Sequence, residues 1–333
     1  MSRPDAVHNP PQGAQRLPLE KLHAWEALGY GMFIHFGMST FVGQELPSGS
    51  EPSTVYAPDR LDVDQWIQVA RDAGMKYAVL TTKHVAGHCL WPSRHTDYHV
   101  GTSGNRTDVV EAFVAACARH GLMAGFYYCT WDNHTRLGSV TWSEAPLERT
   151  FTTQAYRDYQ MAQIEELLTR YGPVGEVWID IPGPLGHEGR RAQYAQIARL
   201  QPAALIMMNH GCTDGSVYRY EYAWPSDLMA IERYLPHSNH GYNPWFSIAP
   251  TRADVRDYYL PGEVCDPIGY EWFWTETDTL RRDHELLGMW LVARARGTNL
   301  LLDVPPDRHG VIPAETVKAL LRLRRNLERL GVE

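Results

Sequence analysis

The chain has 333 residues, 44% of them hydrophobic and 21% charged, the balance of a globular protein with a sizeable core. Its length admits two average domains or one α/β barrel, and a net charge of −8 with no basic run argues against a nucleic-acid partner. The five cysteines (Cys89, Cys117, Cys129, Cys212 and Cys265) are odd in number and lack CxxC spacing, which predicts free thiols, not a disulfide framework or zinc site.

Residues 1–18 are aperiodic and lack the apolar core of a signal peptide, so they read as a tail ahead of a single domain over 19–333. No apolar run reaches the length of a membrane span. A cytoplasmic location is expected, or a secreted one with its leader already removed. Gly29–Met38 reads as a first strand ending at His35, followed by a long, turn-rich segment to Leu61 of the kind that serves a function in a compact domain. Asp62–Gly74 predicts a helix with Trp66, Val69, Ala70 and Ala73 on one face, and Lys76–Lys83 a second strand ending at His84. Val109–Gly121 repeats the helix pattern, Met123–Thr130 the strand, and Thr150–Gly172 is a long amphipathic helix.

The next strand, Gly175–Asp180, ends an apolar run of Val177, Trp178 and Ile179 on a carboxylate, and Ile181, Pro182, Gly183 and Pro184 then turn the chain. An Asp in that place either caps the following segment or stands as a functional group at the carboxyl end of a strand. A helix near Arg190–Leu200 and a strand at Ala204–Asn209 follow, and from His210 to Glu263 the signals blur. His284–Arg296, Asn299–Val304 and Ala314–Leu330 read as helix, strand and closing helix. Strand and helix alternate from end to end, and polar residues gather just after the strands: His35, His84, Trp131, Asp180, Asn209 and Asp303. The expected fold is α/β, a (β/α)8-like TIM barrel irregular in its sixth and seventh units, which brings those ends to one face. A doubly wound open sheet is the alternative, but no GxGxxG or Walker loop follows any strand.

His84 and His88 are four apart, yet they span a glycine-containing turn and not a helix, so no metal site is expected. Paired carboxylates remain. Retaining glycoside cleavage needs two carboxyl groups roughly 5–5.5 Å apart, one as nucleophile and one as acid then base. Asp180 is the expected nucleophile. Its partner is sought on another loop in LPGEVCDPIGYEWFWTET: Glu263 first, Glu271 second, Asp266 third, each with an ordinary loop carboxylate as the competing reading. Eleven Trp and eighteen Tyr supply aromatic faces for a sugar, or simply for the core.

GMFIHFGMSTF, DQWIQVARDAGMKYAVLTTKHVAGHCLWPS, AGFYYCTWD, EVWID, PGEVCDPIGYEWFW and GTNLLLDVPPDRHG, in that order, resemble the α-L-fucosidases of glycoside hydrolase family 29, and the first and fifth resemble its α-1,3/1,4-fucoside branch. The resemblance spans residues 20 to 325. It implies a retaining exo-hydrolase on a (β/α)8-like barrel, with no metal or cofactor, acting on fucosylated oligosaccharides. It places the nucleophile on Asp180 and the acid/base on Glu263. Sugar contacts fall on His35, His84, Tyr127 and Glu45, and an aromatic wall is sought among Trp91, Trp131, Trp178, Trp272 and Trp274.

The chain departs from the family pattern at Val85, where a second His is expected, at Leu46 in place of an aromatic, and at Ile181 in place of Gly. A glycosidase for a related L-sugar, such as an α-L-galactoside, is therefore a second reading, and a silent fucose-binding barrel a third. The chain ends soon after the closing helix. The β-sandwich common in the family is thus expected to be absent, leaving the leaving-group side to the barrel's own loops or to a second subunit.

Overall fold

The computed structural model describes residues 12–139, 152–209, 215–218, 220–237, 241–251 and 254–332. Eight strands form one sheet in which every pairing is parallel. They are β1 (Tyr30–Ile34), β2 (Tyr77–Lys83), β3 (Met123–Cys129), β4 (Glu176–Asp180), β5 (Leu205–Met208), β6 (Met229–Glu232), β9 (Gly262–Pro267) and β10 (Asn299–Asp303). The order β5-β4-β3-β2-β1-β10-β9-β6 carries the sheet around to the point where β5 and β6 nearly meet. Helices α3 (Val63–Asp72), α4 (Val109–His120), α5 (Gln154–Arg170), α6 (Gly186–Leu200), α8 (Asp283–Ala295) and α9 (Ala314–Leu330) follow strands in the expected alternation. Asp62 and Asp108 cap α3 and α4 by accepting the backbone N–H three residues on.

Period-2 alternation divides each strand between two cores. Ile34, Leu80, Phe126, Ile179, Met208, Val264 and Leu302 face the helices. Phe33, Val79, Tyr127, Trp178, Met207, Ala230, Cys265 and Leu301 fill the barrel interior. Helix α1 (Leu19–Glu26) closes the amino end of the barrel with Leu22 and Trp25, and Leu17 just ahead of it joins the same core.

The expected irregularity falls in the sixth and seventh units. Between β6 and β9 the chain makes an antiparallel hairpin, β7 (Trp245–Thr251) with β8 (Asp254–Tyr259), outside the barrel sheet. The seam between β5 and β6 is joined by side chains in place of a ladder. The backbone N–H of Asp227 donates to Ile206 O at 2.7 Å, and its carboxylate accepts from Ile206 N at 3.0 Å. Ser226 Oγ accepts from Met208 N at 3.0 Å. Arg16 and the Tyr194 hydroxyl both reach the Asp227 carboxylate at 2.5 Å. Asp227 is therefore a buried acceptor for three donors on three different segments.

Removing its carboxylate strands those donors. Asp227→Ala is expected to cost about 3 kcal/mol of unfolding free energy, read as a lower midpoint in urea. A change within 0.5 kcal/mol, about the noise of a surface substitution, would mean the seam closes without it.

Candidate active site

The alternation that builds the inner core also stacks its polar residues in layers. At the carboxyl ends of the strands the inward positions include His35, Asp180, Asn209, Glu232 and Asp303, and Tyr127, one inward step lower in β3, reaches them with its hydroxyl. Asp180 is the last residue of β4. Its Oδ2 accepts from the Tyr127 hydroxyl at 2.6 Å, and its Oδ1 accepts from the Asn209 side-chain amide at 2.8 Å and from Ile181 N at 2.9 Å. The same Asn209 nitrogen donates to Glu232 Oε2 at 2.8 Å. Each carboxylate thus lies 2.8 Å from one shared atom, so the two are separated by at most twice that distance.

Burial, and then the charge of Asp180, push the Glu232 carboxyl up to about 7. Both carboxylates are followed by strained backbone. Ile181 (φ 49°) and Arg233 (φ 60°) are two of the three non-glycine residues with positive φ among those described. A β-branched side chain in the left-handed region costs of order 1–3 kcal/mol, a strain that clusters at functional sites. The Gly expected after Asp180 would meet this turn without strain, and Ile181 meets it at a cost offset by packing on the inner core.

Around the pair, His35 Nδ1 lies 2.8 Å from Asp303 Oδ1, which also accepts the His35 backbone N–H at 3.2 Å. Burial above all lowers His35 to about 3, so its ring is neutral. With the proton on Nδ1, directed at Asp303, Nε2 is left as an acceptor. His84 is stacked on Tyr127 with centroids 5.7 Å apart and sits 5.8 Å from His35. Burial first, then His35, hold it neutral as well, and its Nδ1 has no partner among the described residues. Trp272 lies 5.1 Å from His35, and the Arg233 guanidinium sits over the Trp272 ring at 4.8 Å while donating to Tyr270 O at 2.9 Å.

Glu45 stands at the mouth. Partial burial raises its carboxyl, and among its charged neighbours Arg233 opposes Glu271, Asp180 and Asp303. The segment that carries Glu45 is latched from below. Lys83 and Asp132, both fully buried, pair at 3.0 Å, and Asp132 Oδ1 accepts the N–H groups of His134 and Thr135. That turn then donates from Asn133 to Pro47 O at 2.8 Å and from His134 to Gly49 O at 2.7 Å.

Several expected residues lie elsewhere. Glu263 is not in a loop: Pro261 and Gly262 lead directly into β9, where Glu263 pairs in register with Ala230 and Asn299. Asp303 is level with Pro267 and Glu232 with Cys265, so Glu263 lies one to two inward steps below the carboxyl-end positions on either side of β9. There it is fully buried, with Tyr77 and Trp178 donating to it. Glu271 is exposed beyond β9, and Asp266 pairs with Arg281 at 2.8 Å. Trp91 belongs to the outer core, its indole N–H on Glu166 at 3.1 Å. Trp178 pairs in register with Tyr127 and stacks on its ring; 2% exposed and one inward step below Asp180, it forms a floor, not a wall. Trp131 and Trp272 do join the inner cluster. Missed altogether were Glu232, Arg233 and Phe273, the last 5.1 Å from His35 and 4.9 Å from His84. Glu232 had a readable signal: LMAIE repeats the form of VWID, an apolar run closed by an acid. Among the described residues no group of three His, Cys, Asp or Glu could hold a metal ion.

A family model for alpha-L-fucosidase matches residues 48–331. Alpha-L-fucosidase 1 of Arabidopsis thaliana is 29% identical over 327 residues, which cover 91% of this chain and 59% of that protein. A relative from Oryza sativa subsp. japonica is 31% identical over 326 residues, with 93% of this chain and 59% of the relative covered. The chain therefore spans about three fifths of the length of these curated relatives. Among solved structures, alpha-L-fucosidase isoenzyme 1 from Paenibacillus thiaminolyticus superposes with a TM-score of 0.76 at 24% identity, over 94% of this chain and 76% of that one, a likeness of fold. With a barrel whose strand ends present two neighbouring carboxylates, and a family model matched over most of its length, this chain belongs to the alpha-L-fucosidase family.

Proposed function

We propose that this barrel is the catalytic domain of a retaining exo-α-L-fucosidase, with Asp180 as the nucleophile and Glu232 as the acid/base. The observation that carries the reading is the shared Asn209 amide, which keeps an oxygen of each carboxylate within 2.8 Å of one nitrogen, a separation compatible with double displacement. Three donors converge on Asp180, a setting for an ionised acceptor. Glu232 keeps its proton up to about pH 7 because it is buried beside that charge.

In the first step Asp180 attacks the anomeric carbon while Glu232 gives its proton to the leaving oxygen. Once Asp180 is an ester, its charge is gone and one cause of the raised Glu232 pKa goes with it. Glu232 is then the carboxylate that takes a proton from water as the ester is hydrolysed. His35 Nε2, His84, Glu45 and the Tyr127 ring offer partners for sugar hydroxyls. Trp272, Trp131 and Phe273 offer a wall for the apolar edge with its methyl group. A second reading, an α-L-galactoside or related L-sugar as substrate, is favoured by Val85, whose apolar side chain is 3% exposed in the inner cluster where an imidazole was expected.

Asp180→Asn is expected to abolish turnover of an aryl α-L-fucoside, and full activity in that variant would remove the nucleophile assignment. For Glu232→Ala, kcat/KM on a natural fucoside is expected to fall about 10²–10⁴-fold, with less loss on an activated aryl fucoside and partial rescue by azide. Equal losses on both substrates without rescue would shift the role to Glu45 or Glu271. Wild-type activity on poor leaving groups should decline as pH rises through about 7, where Glu232 loses its proton. That limb should vanish in Glu232→Ala. Faster hydrolysis of an aryl α-L-galactoside than of the fucoside would favour the second reading.

A further inference from the structure

Two carboxyl groups that this chemistry does not use face each other at the amino end of the barrel. Glu176 opens β4 and Glu263 is the second residue of β9, and both are 0% exposed. Glu263 Oε1 accepts from the Tyr77 hydroxyl at 2.6 Å, and its Oε2 accepts from the Trp178 indole N–H at 3.2 Å. Glu176 Oε2 accepts from the Trp25 indole N–H at 3.1 Å. The remaining oxygen, Glu176 Oε1, has no hydrogen-bond partner among the described residues, and the two carboxyls are neighbours in one buried layer, held by Trp25 and Tyr77, whose rings pack with centroids 6.1 Å apart. The layer is built to hold them. Gly31 leaves the space that Tyr77 occupies, since a Cβ there would fall 2.6 Å from the Tyr77 ring.

Two bare carboxylates in so dry a place would repel each other strongly. Among the described residues, the groups around them supply no cation. Tyr77 on β2 and Trp25 on α1 are neutral donors, and Cys265 on β9 is a buried thiol. Glu26 on α1 carries the wrong sign, and Asn299 on β10 donates to Trp25 O. Arg294 on α8 directs its Nη1 to Thr298 O at 2.9 Å and Asn299 Oδ1 at 3.0 Å, and pairs with neither carboxyl. One of the two must therefore carry a proton. The donors decide which. Glu263 already accepts on both oxygens, whereas Glu176 has one oxygen with nothing to accept.

We propose that Glu176 and Glu263 form a carboxylic acid–carboxylate pair, with the proton on Glu176, and that this pair is a positioning device for the nucleophile. Glu263 fixes the edge of Trp178. Trp178 stacks on Tyr127, with centroids 5.4 Å apart and planes 23° from parallel, and the Tyr127 hydroxyl holds Asp180 at 2.6 Å. The positioning role rests on Asp180 being the nucleophile, and the pair itself does not.

The pair also couples stability to pH. Burial raises both carboxyls and lifts Glu176 well above the usual carboxylate range. The folded chain then keeps on Glu176 a proton that the unfolded chain has released above about pH 4.3. Stability falls as pH rises from there, until that proton leaves the folded chain as well.

Glutamine substitutions separate the two roles. Glu176→Gln imitates a protonated acid: its amide donates to Glu263 and its carbonyl accepts from Trp25. Glu263→Gln turns a donor toward either Tyr77 or Trp178, both of which already donate. Glu176→Gln is expected to keep kcat on an aryl fucoside within about twofold. Between pH 5 and 7 its unfolding constant should rise about tenfold less per pH unit than that of the wild type. The infrared difference spectrum, wild type minus variant, should show a carboxylic-acid carbonyl band at neutral pH. Glu263→Gln should lower kcat about tenfold, the cost of about 1.4 kcal/mol, with KM held and the near-ultraviolet circular dichroism of the ring stack altered. If Glu176→Gln is the more damaging of the two, or if no acid band is lost in it, the proposal is overturned. Should Glu263→Gln not fold, the infrared and unfolding measurements on Glu176→Gln still decide. A wild type inactive on every aryl fucoside would remove the proposed function and leave those two measurements as the test of the pair.

Discussion

Asn209 donates one amide to two acids, and the arrangement of the site follows from that. The nitrogen sits one residue beyond β5, with its backbone N–H anchored on Ile179 O at 2.9 Å, so its position is set by the sheet. Asp180 ends β4 beside it, and Glu232 ends β6 across the seam. The amide can serve both only if the barrel closes between β5 and β6, where no continuous ladder exists. Asp227 and Ser226 make that closure with side-chain oxygens, and Arg16 and Tyr194 hold Asp227 in place. The spacing of the two carboxylates thus depends on a buried acid at the seam, away from the strand ends that carry them.

The chemistry drawn from this spacing is electrostatic. Two carboxylates this close cannot both be ionised cheaply, and the three donors on Asp180 decide which one yields. The histidines add no charge, because burial keeps His35 and His84 neutral. Arg233 is the cation at the mouth. It sits over Trp272 on strained backbone, next to Glu232 in the chain. Family membership rests on the match over residues 48–331, and the roles of individual residues rest on this geometry.

Both ends of the barrel follow the same rule. Each strand contributes inward positions two residues apart, so a strand four residues longer than its polar tip carries a second polar layer below. In β4 that layer is Glu176, two inward steps beneath Asp180, with Trp178 between them. In β9 it is Glu263. The upper layer lies at the open carboxyl end, while the lower one is sealed by α1 through Leu22 and Trp25. An acid in the upper layer can exchange its proton with a ligand. An acid in the lower layer can only share one with its neighbour.

From the sequence alone the alternation of strand and helix, the barrel, and the carboxyl-end positions of His35, His84, Asp180, Asn209 and Asp303 were legible, because each follows from local periodicity and from the turn signals after it. Tyr127 was identified by resemblance, and Asp180 by an acid closing an apolar run. The height of Glu263 in the barrel was not legible. Glu263 follows Pro-Gly and precedes two indoles, and those local features suit a loop as well as a strand entrance. Only the register with Asn299 and Ala230 shows that it enters the sheet at the far end. Glu232 was hidden in a stretch of short elements, although its apolar run had the right form. Trp91 and Trp178 were likewise indistinguishable from pocket residues until parity and burial placed them. Periodicity along a strand states which side chains share a face. Their height in the barrel is set by pairing between strands far apart in the chain, and that pairing exists only in the folded protein.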